Sequence, residues 1–310
     1  MNDTKLWMAL SRIEGVGIAA LKQIHTALSN LNISLYDIME LSPKTMAFET
    51  GLPIELCQLV ANVSSTIGTA QKEYEQLLDN TIEPILFFDV RYPQRLLRSM
   101  EYPPAILYMY GNYDVITSKQ IAILSDHTAS ERGHYIAYQA AHIAAQHSIT
   151  VTSGMAKGPQ SMAHRGAIEG GGNTIAVLPM GLLHLSIPQI LQDCVDLSRW
   201  LFISPFEPAQ EYAIHHSYKR NSLIAAMANA LIIIETTPDG GSFEAAKSAH
   251  NYKTPLFVVE YAEYPATASG NPGIIKEYNA TPLKGRMQNG TLLPNMDMCI
   301  AKARYGDSHS

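Results

Sequence analysis

The sequence predicts an α/β protein: a Rossmann-like, doubly wound, mostly parallel sheet with a small N-terminal helical domain. Three observations carry the prediction. From about residue 81 short apolar runs alternate with helical stretches of roughly 10 to 18 residues, the pattern of a parallel sheet covered on both faces. Before that point apolar residues recur at spacings of three and four, as on helices. Small, polar or basic turns follow several apolar runs, where open parallel sheets hold their ligands.

The helical region runs from Leu6 to about Asn80, broken at Gly15 and Gly17, Ser42-Pro43 and Gly51-Leu52-Pro53. Its opening, Ile13-Glu14-Gly15-Val16-Gly17-Ile18, reads as two helices joined by a glycine hairpin, so residues 1–80 are expected to form a SAM or helix-hairpin-helix-like domain. Such a hairpin either offers N–H groups to a phosphate or only turns the chain. The same residues nearly fit a dinucleotide fingerprint, but that requires a preceding strand, so the dinucleotide reading is rejected.

Over 81–285 the strand candidates are Ile85–Phe88, Ile106–Tyr110, Gln120–Leu124, Ile149–Thr152, Thr174–Leu178, Leu201–Ser204, Ala230–Glu235 and Leu256–Glu260. Between them, helices are expected at Ser130–His147, Gly158–Gly170, Ile187–Leu197, Ser217–Asn229 and Ser242–Asn251. Right-handed crossovers then give the doubly wound arrangement. Residues 286–310 read as an irregular C-terminal tail whose polar end, Gly306 to Ser310, is expected to fray.

Composition narrows the function. At roughly 150 residues per domain, 310 residues suggest about two domains. Charged residues make up only 16% and the net charge is −6, so no global positive field attracts nucleic acid or anionic lipid, and any polyanion must meet a local patch. Cys57, Cys194 and Cys299 are too few and scattered for a disulfide framework or zinc cluster, pointing to a reducing compartment. With no signal-peptide pattern and no apolar window long enough for a bilayer, a cytoplasmic protein without membrane contact is expected. P-loop, His-Glu-x-x-His, Cys-x-x-Cys and Gly-x-Ser-x-Gly patterns are missing, so no metal, cofactor or catalytic constellation is expected.

Four turns could bind an anion: Ser125 to Ser130, Ser153 to Gly158, Met180-Gly181 with His184, and Thr236 to Ser242. Glycine admits close approach of a backbone, and each helix start adds unpaired N–H groups with about half a positive charge. Lys157 adds a point charge, and Lys219-Arg220-Asn221, expected at a helix head, adds a planar fork suited to phosphate. Ser130 fits equally as a helix N-cap or a ligand contact.

These residues also carry a pattern in sequence order: Tyr92-Pro93-x-x-Leu96, Pro103-Pro104-x-x-Leu107-Tyr108-x-x-Gly111, Ala129-Ser130-x-x-Gly133, Ser153 to Gly158 with Ala163-His164, Gly170 to Leu178, Arg220-Asn221-x-x-Ile224-Ala225, and Gly241-Ser242-Phe243 with Ala246 and Ala249. By them the chain resembles the DNA-processing protein A family (DprA, also called Smf) over about residues 5–285. The resemblance implies an extended Rossmann-like domain that grips single-stranded DNA, a homodimer, and loading of a RecA-type recombinase in DNA uptake, recombination or repair. The phosphate contacts it implies are Ser130, Ser153, Gly154, Lys157, Lys219, Arg220, Asn221, Gly241 and Ser242, with His127 at the place of a family arginine. The chain departs from the family at Ser125-Asp126-His127, where a permanently charged fork is lost and an acid gained, and at Gly158-Pro159-Gln160.

Two alternatives from other classes stay open. Related Rossmann-like families sense nucleotides or cleave nucleoside monophosphates, but the glycine loop here places Lys247 where that cleavage needs a carboxylate. The loss of the arginine and the acidic balance also suit a partner-binding protein of a mobile element or defence system.

Overall fold

The computed structural model describes residues 3–306, so the expected fraying of the last residues lies outside the described residues beyond Gly306. The chain divides into two compact units: one runs to Tyr92 and takes in Glu101–Tyr108, and the other comprises Pro93–Met100 and everything from Met109.

The first unit is built of six helices, α1 (Thr4–Leu10), α2 (Ile18–Leu31), α3 (Leu35–Met39), α4 (Pro43–Thr50), α5 (Ile54–Ala61) and α6 (Ser64–Asp79), followed by strand β1 (Glu83–Leu86). Local chemistry sets their ends. Ser34 and Asp37 form a reciprocal capping box on α3, and Ser42 caps α4 ahead of Pro43. The apolar stripes meet in a core of Leu6, Leu10, Leu21, Ile24, Ile38, Met46, Val60 and Leu77. Arg12 pairs with Glu73 at its edge. The glycine hairpin is present, with Gly15 at φ 87° and Gly17 directly before α2.

The second unit holds, in chain order, α7 (Gln94–Ser99), the end of β2 (Ile106–Gly111), β3 (Gln120–Leu124), α8 (Glu131–Gln146), β4 (Thr150–Gly154), α9 (Pro159–Glu169), β5 (Thr174–Val177), β6 (Trp200–Ser204), α10 (Ile214–Met227), β7 (Ala230–Ile233), α11 (Gly241–Asn251), β8 (Leu256–Val259), α12 (Asn271–Tyr278), β9 (Thr281–Leu283), β10 (Gly285–Gln288), β11 (Thr291–Pro294) and α13 (Asp297–Tyr305). Strands β6-β5-β4-β3-β7-β8-β9 lie in that order, every neighbouring pair parallel. The chain winds outward from β3 to β6, returns to β7 beside β3, and winds the other way to β9. The β3–β7 seam is therefore the topological switch point, where such sheets bind ligands. Strands β3 to β8 are buried at every residue, which explains the apolar runs of β3 and β5 to β8, while β4 buries Thr150, Thr152 and Ser153 as well.

Three expectations are corrected. Ile187–Leu197 is not a helix: only one 3₁₀ turn, Gln189–Leu191, forms behind Pro188, and Arg165 holds the segment through Asp193 at 2.9 Å. Helix α10 starts at Ile214 rather than Ser217, which puts Lys219-Arg220-Asn221 in its second turn instead of at its head. The region after Arg286 is not irregular: β10 and β11 pair as a hairpin, and α13 buries Cys299, Ile300 and Ala303, with Met296 before it, in the core that contains Ile121, Ile123 and Ile232.

Candidate nucleic-acid interface

Four connections leave the carboxyl ends of β3, β4, β5 and β7, and hydrogen bonds lace those after β3, β4 and β7 together. Gln160, at the start of α9, gives Nε2 to Ser125 O at 2.9 Å. Arg220 reaches from α10 to Val177 O at the end of β5, and Asn221 Nδ2 reaches Gly241 O on α11 at 3.1 Å. The Met180–His184 turn engages different partners: Ser204 Oγ donates to Met180 O at 2.6 Å, and His184 Nε2 lies 3.0 Å from Ala209 O.

Arg220 dominates this edge. It is only 4% exposed and no carboxylate pairs with it among the described residues. Its Nη1 has two long contacts, Val177 O at 3.3 Å and Gln160 Oε1 at 3.5 Å, while Nε is buried without a partner. Burial pushes its pKa down to about 10. A guanidinium taken out of water without an opposing charge is unfavourable unless an anion joins it. Gly154 makes room for it, since a Cβ there would stand 1.5 Å from Nη1. Below it His164, fully buried, lies 2.6 Å from Thr174 Oγ1 and 3.0 Å from Gly154 O. Burial, with a smaller contribution from the Arg220 charge, lowers its pKa to about 4, so the ring is neutral at pH 7.

The other residues named from sequence divide into exposed and engaged groups. Lys157, Lys219 and His127 are exposed. Asn221 is 4% exposed, and its Oδ1 is buried without a partner. Ser153 is fully buried and donates Oγ to Ile123 O at 2.6 Å. Ser130 caps α8 by accepting Gly133 N–H at 3.1 Å, and it gives both Oγ (2.6 Å) and its amide (2.8 Å) to Glu235. Gly241 opens α11, and the Ser242 amide donates to Asp126 Oδ1 at 3.1 Å.

Two carboxylates lie at the switch point: Asp126, which the sequence shows only as an acid gained, and Glu235, to which it assigns no role. Glu235, 0% exposed, accepts from Ser130 and from the hydroxyls of Tyr261 and Thr267, each at 2.6 Å. Burial alone would raise its pKa, but these four donors together hold it below the usual carboxylate range. Asp126 accepts from Thr236 Oγ1 (2.8 Å), Thr237 N (3.1 Å) and Ser242 N. The acid at position 126 and the Glu closing the apolar run at β7 were the only traces of them in sequence. Among the described residues no three His, Cys, Asp or Glu side chains converge as a metal site, and no helix is long and apolar enough to cross a membrane.

Residues 83–289 match the family model for DNA recombination-mediator protein A. The chain belongs to that family. Among curated members, it is 24% identical to protein Smf of Synechocystis over 263 residues, covering 83% of this chain and 64% of that one. It is 25% identical to DNA processing protein DprA of Streptococcus pneumoniae over 176 residues, 56% of this chain and 62% of the relative. The chain thus spans less than two thirds of the length of these relatives. The crystal structure of the S. pneumoniae DprA aligns with a TM-score of 0.71 at 20% identity, over 91% of this chain and 95% of that one. A Helicobacter pylori DprA structure, described for its single-stranded DNA binding mode, aligns at 0.56 and 20% identity, over 65% and 90%. Membership in the DprA family and the mostly parallel α/β fold are therefore established together.

Proposed function

We propose that this chain binds single-stranded DNA along the carboxyl edge of β3, β4, β5 and β7, without catalysing a reaction on it. The observation that carries the reading is Arg220: a buried guanidinium with no carboxylate, an unpartnered Nε, and the exposed Lys157 on the turn that runs past it. A phosphodiester supplies the missing charge and acceptors. Lys157 and Lys219 then steer the backbone, and the exposed Tyr218 offers a face for base stacking. Glu235 does not repel the strand as a free acid would, since the chain's own donors already engage it. The family's description as a recombination mediator supports a role in recombination. On this reading the bound strand passes to a RecA-type recombinase, and the chain acts as a cytoplasmic homodimer in DNA uptake, recombination or repair.

The test is fluorescence anisotropy with labelled single- and double-stranded oligonucleotides across a salt series. Tighter binding of the single strand, lost in the Lys157→Ala, Arg220→Ala double variant, is expected, with log K falling by about 0.7 per phosphate contact for each log unit of salt. No binding at low salt, or binding unchanged in the double variant, refutes the reading. Saturable calorimetric binding of one free mononucleotide in place of the oligonucleotide would move the assignment to a nucleotide sensor.

A further inference from the structure

The loop that leads from β7 into the first turn of α11 is an anion cradle in geometry: the amides of Thr237 and Ser242 and the hydroxyl of Thr236 converge on a single carboxylate. A carboxylate of the same chain sits there. Asp126, from the β3–α8 turn, takes all three donors, at 2.8 to 3.1 Å. Gly240 completes the arrangement through space rather than conformation. Its φ is an ordinary −73°, yet a Cβ there would stand 2.0 Å from Asp126 Oδ2 and 2.3 Å from Thr236 Oγ1. Next to it Asn221, 4% exposed, bonds Gly241 O and leaves Oδ1 unpartnered, so a polar acceptor already waits beside the cradle for a ligand donor.

We propose that Asp126 is a built-in phosphate surrogate that determines how many phosphates this edge accepts. With its carboxylate in the cradle, the edge holds one phosphate at Arg220 and turns a second away at α11; the donors there are satisfied and the residual charge is negative. The proposal rests on the reading of the Arg220 edge as a phosphate site. It makes Asp126 a specificity-determining residue: the strand is gripped at one phosphate here, and its neighbour is displaced from the switch point.

Two measurements on the full chain test this, with Asp126→Asn, Asp126→Gly and, as a control for lost negative charge, Asp79→Asn at the exposed end of α6. In the first, sulfate is titrated against thermal stability. Asp126→Gly is expected to melt below wild type in chloride and to recover with sulfate, whereas wild type and Asp79→Asn respond weakly. In the second, oligothymidylate binding is followed by anisotropy. Both Asp126 variants are expected to bind several-fold tighter at low salt, with a salt slope steeper by about 0.7, one added phosphate contact. If Asp126→Gly does not fold, Asp126→Asn decides, since it removes the charge and keeps the shape. Native circular dichroism with a wild-type sulfate response and slope, or an equal gain from Asp79→Asn, overturns the proposal. If Arg220→Gln binds the oligonucleotide as wild type does, the phosphate reading of that edge falls, while the sulfate arm still judges Asp126.

Discussion

The guanidinium of Arg220 lies flush against the backbone of Gly154, so near that one added carbon on the glycine would overlap Nη1. The glycine at the end of β4 thus admits a side chain from α10 before it admits any ligand. A single methyl group at this position separates the fold from the binding function.

Gly154→Ala is expected to push Arg220 off the strand end. Overpacking of this kind destabilises by about 1–3 kcal/mol, while oligonucleotide affinity should fall at least as far as in Arg220→Ala. Urea unfolding and anisotropy on the same preparation check both; native-level affinity in a folded Gly154→Ala protein would contradict the placement.

Arg220→Met keeps the volume and removes the buried charge. A buried ion without a partner opposes folding, so stability is expected to stay level or rise by about 1 kcal/mol while oligonucleotide binding is lost. Calorimetric melting alongside anisotropy reads the two effects separately. A strongly destabilised variant would show that the guanidinium serves packing instead.

His164 gives the protein an acid-sensitive interior. The unfolded chain takes up a proton near pH 6.5, but the folded chain does so only near pH 4. Between those values the unfolded state binds more protons, so stability falls as pH drops, by up to about 3 kcal/mol. Urea midpoints at pH 7 and pH 4.5 should differ more in wild type than in His164→Gln; equal gaps would refute the assignment.

Glu235→Gln replaces a buried acceptor of four hydrogen bonds with a group that must donate toward at least one of the same partners. Loss of such bonds is expected to destabilise by about 2–3 kcal/mol. The Tyr261 hydroxyl, whose titration burial and Glu235 together push upward, should ionise at lower pH in the variant, as followed by ultraviolet titration.

The central sheet is legible because burial on both faces leaves mostly apolar segments: Gln120–Leu124 has the same limits in sequence and structure. Hairpin β10–β11 gave no such signal, since every residue of β10 is exposed and no alternation marks it. The start of α10 was missed because Ile214 is 72% exposed and leads into two histidines, so its first turn carries no apolar stripe. At the site, chemistry was easier to read than engagement. Arg220 and Asn221 stand out as residue types, but an arginine in mid-helix reads as solvated, and its burial depends on Gly154, 66 residues earlier. Asp126 and Ser242 are 116 residues apart, so no local pattern reveals that one caps the other.

Helix α13 has a consequence for how the second unit withstands truncation. It packs on β3 and β7, the two strands that meet at the topological switch point. A chain cut before Met296 would lay bare the flank of those strands. Ile121, Ile123 and Ile232 would then become apolar surface open to aggregation or to chaperones.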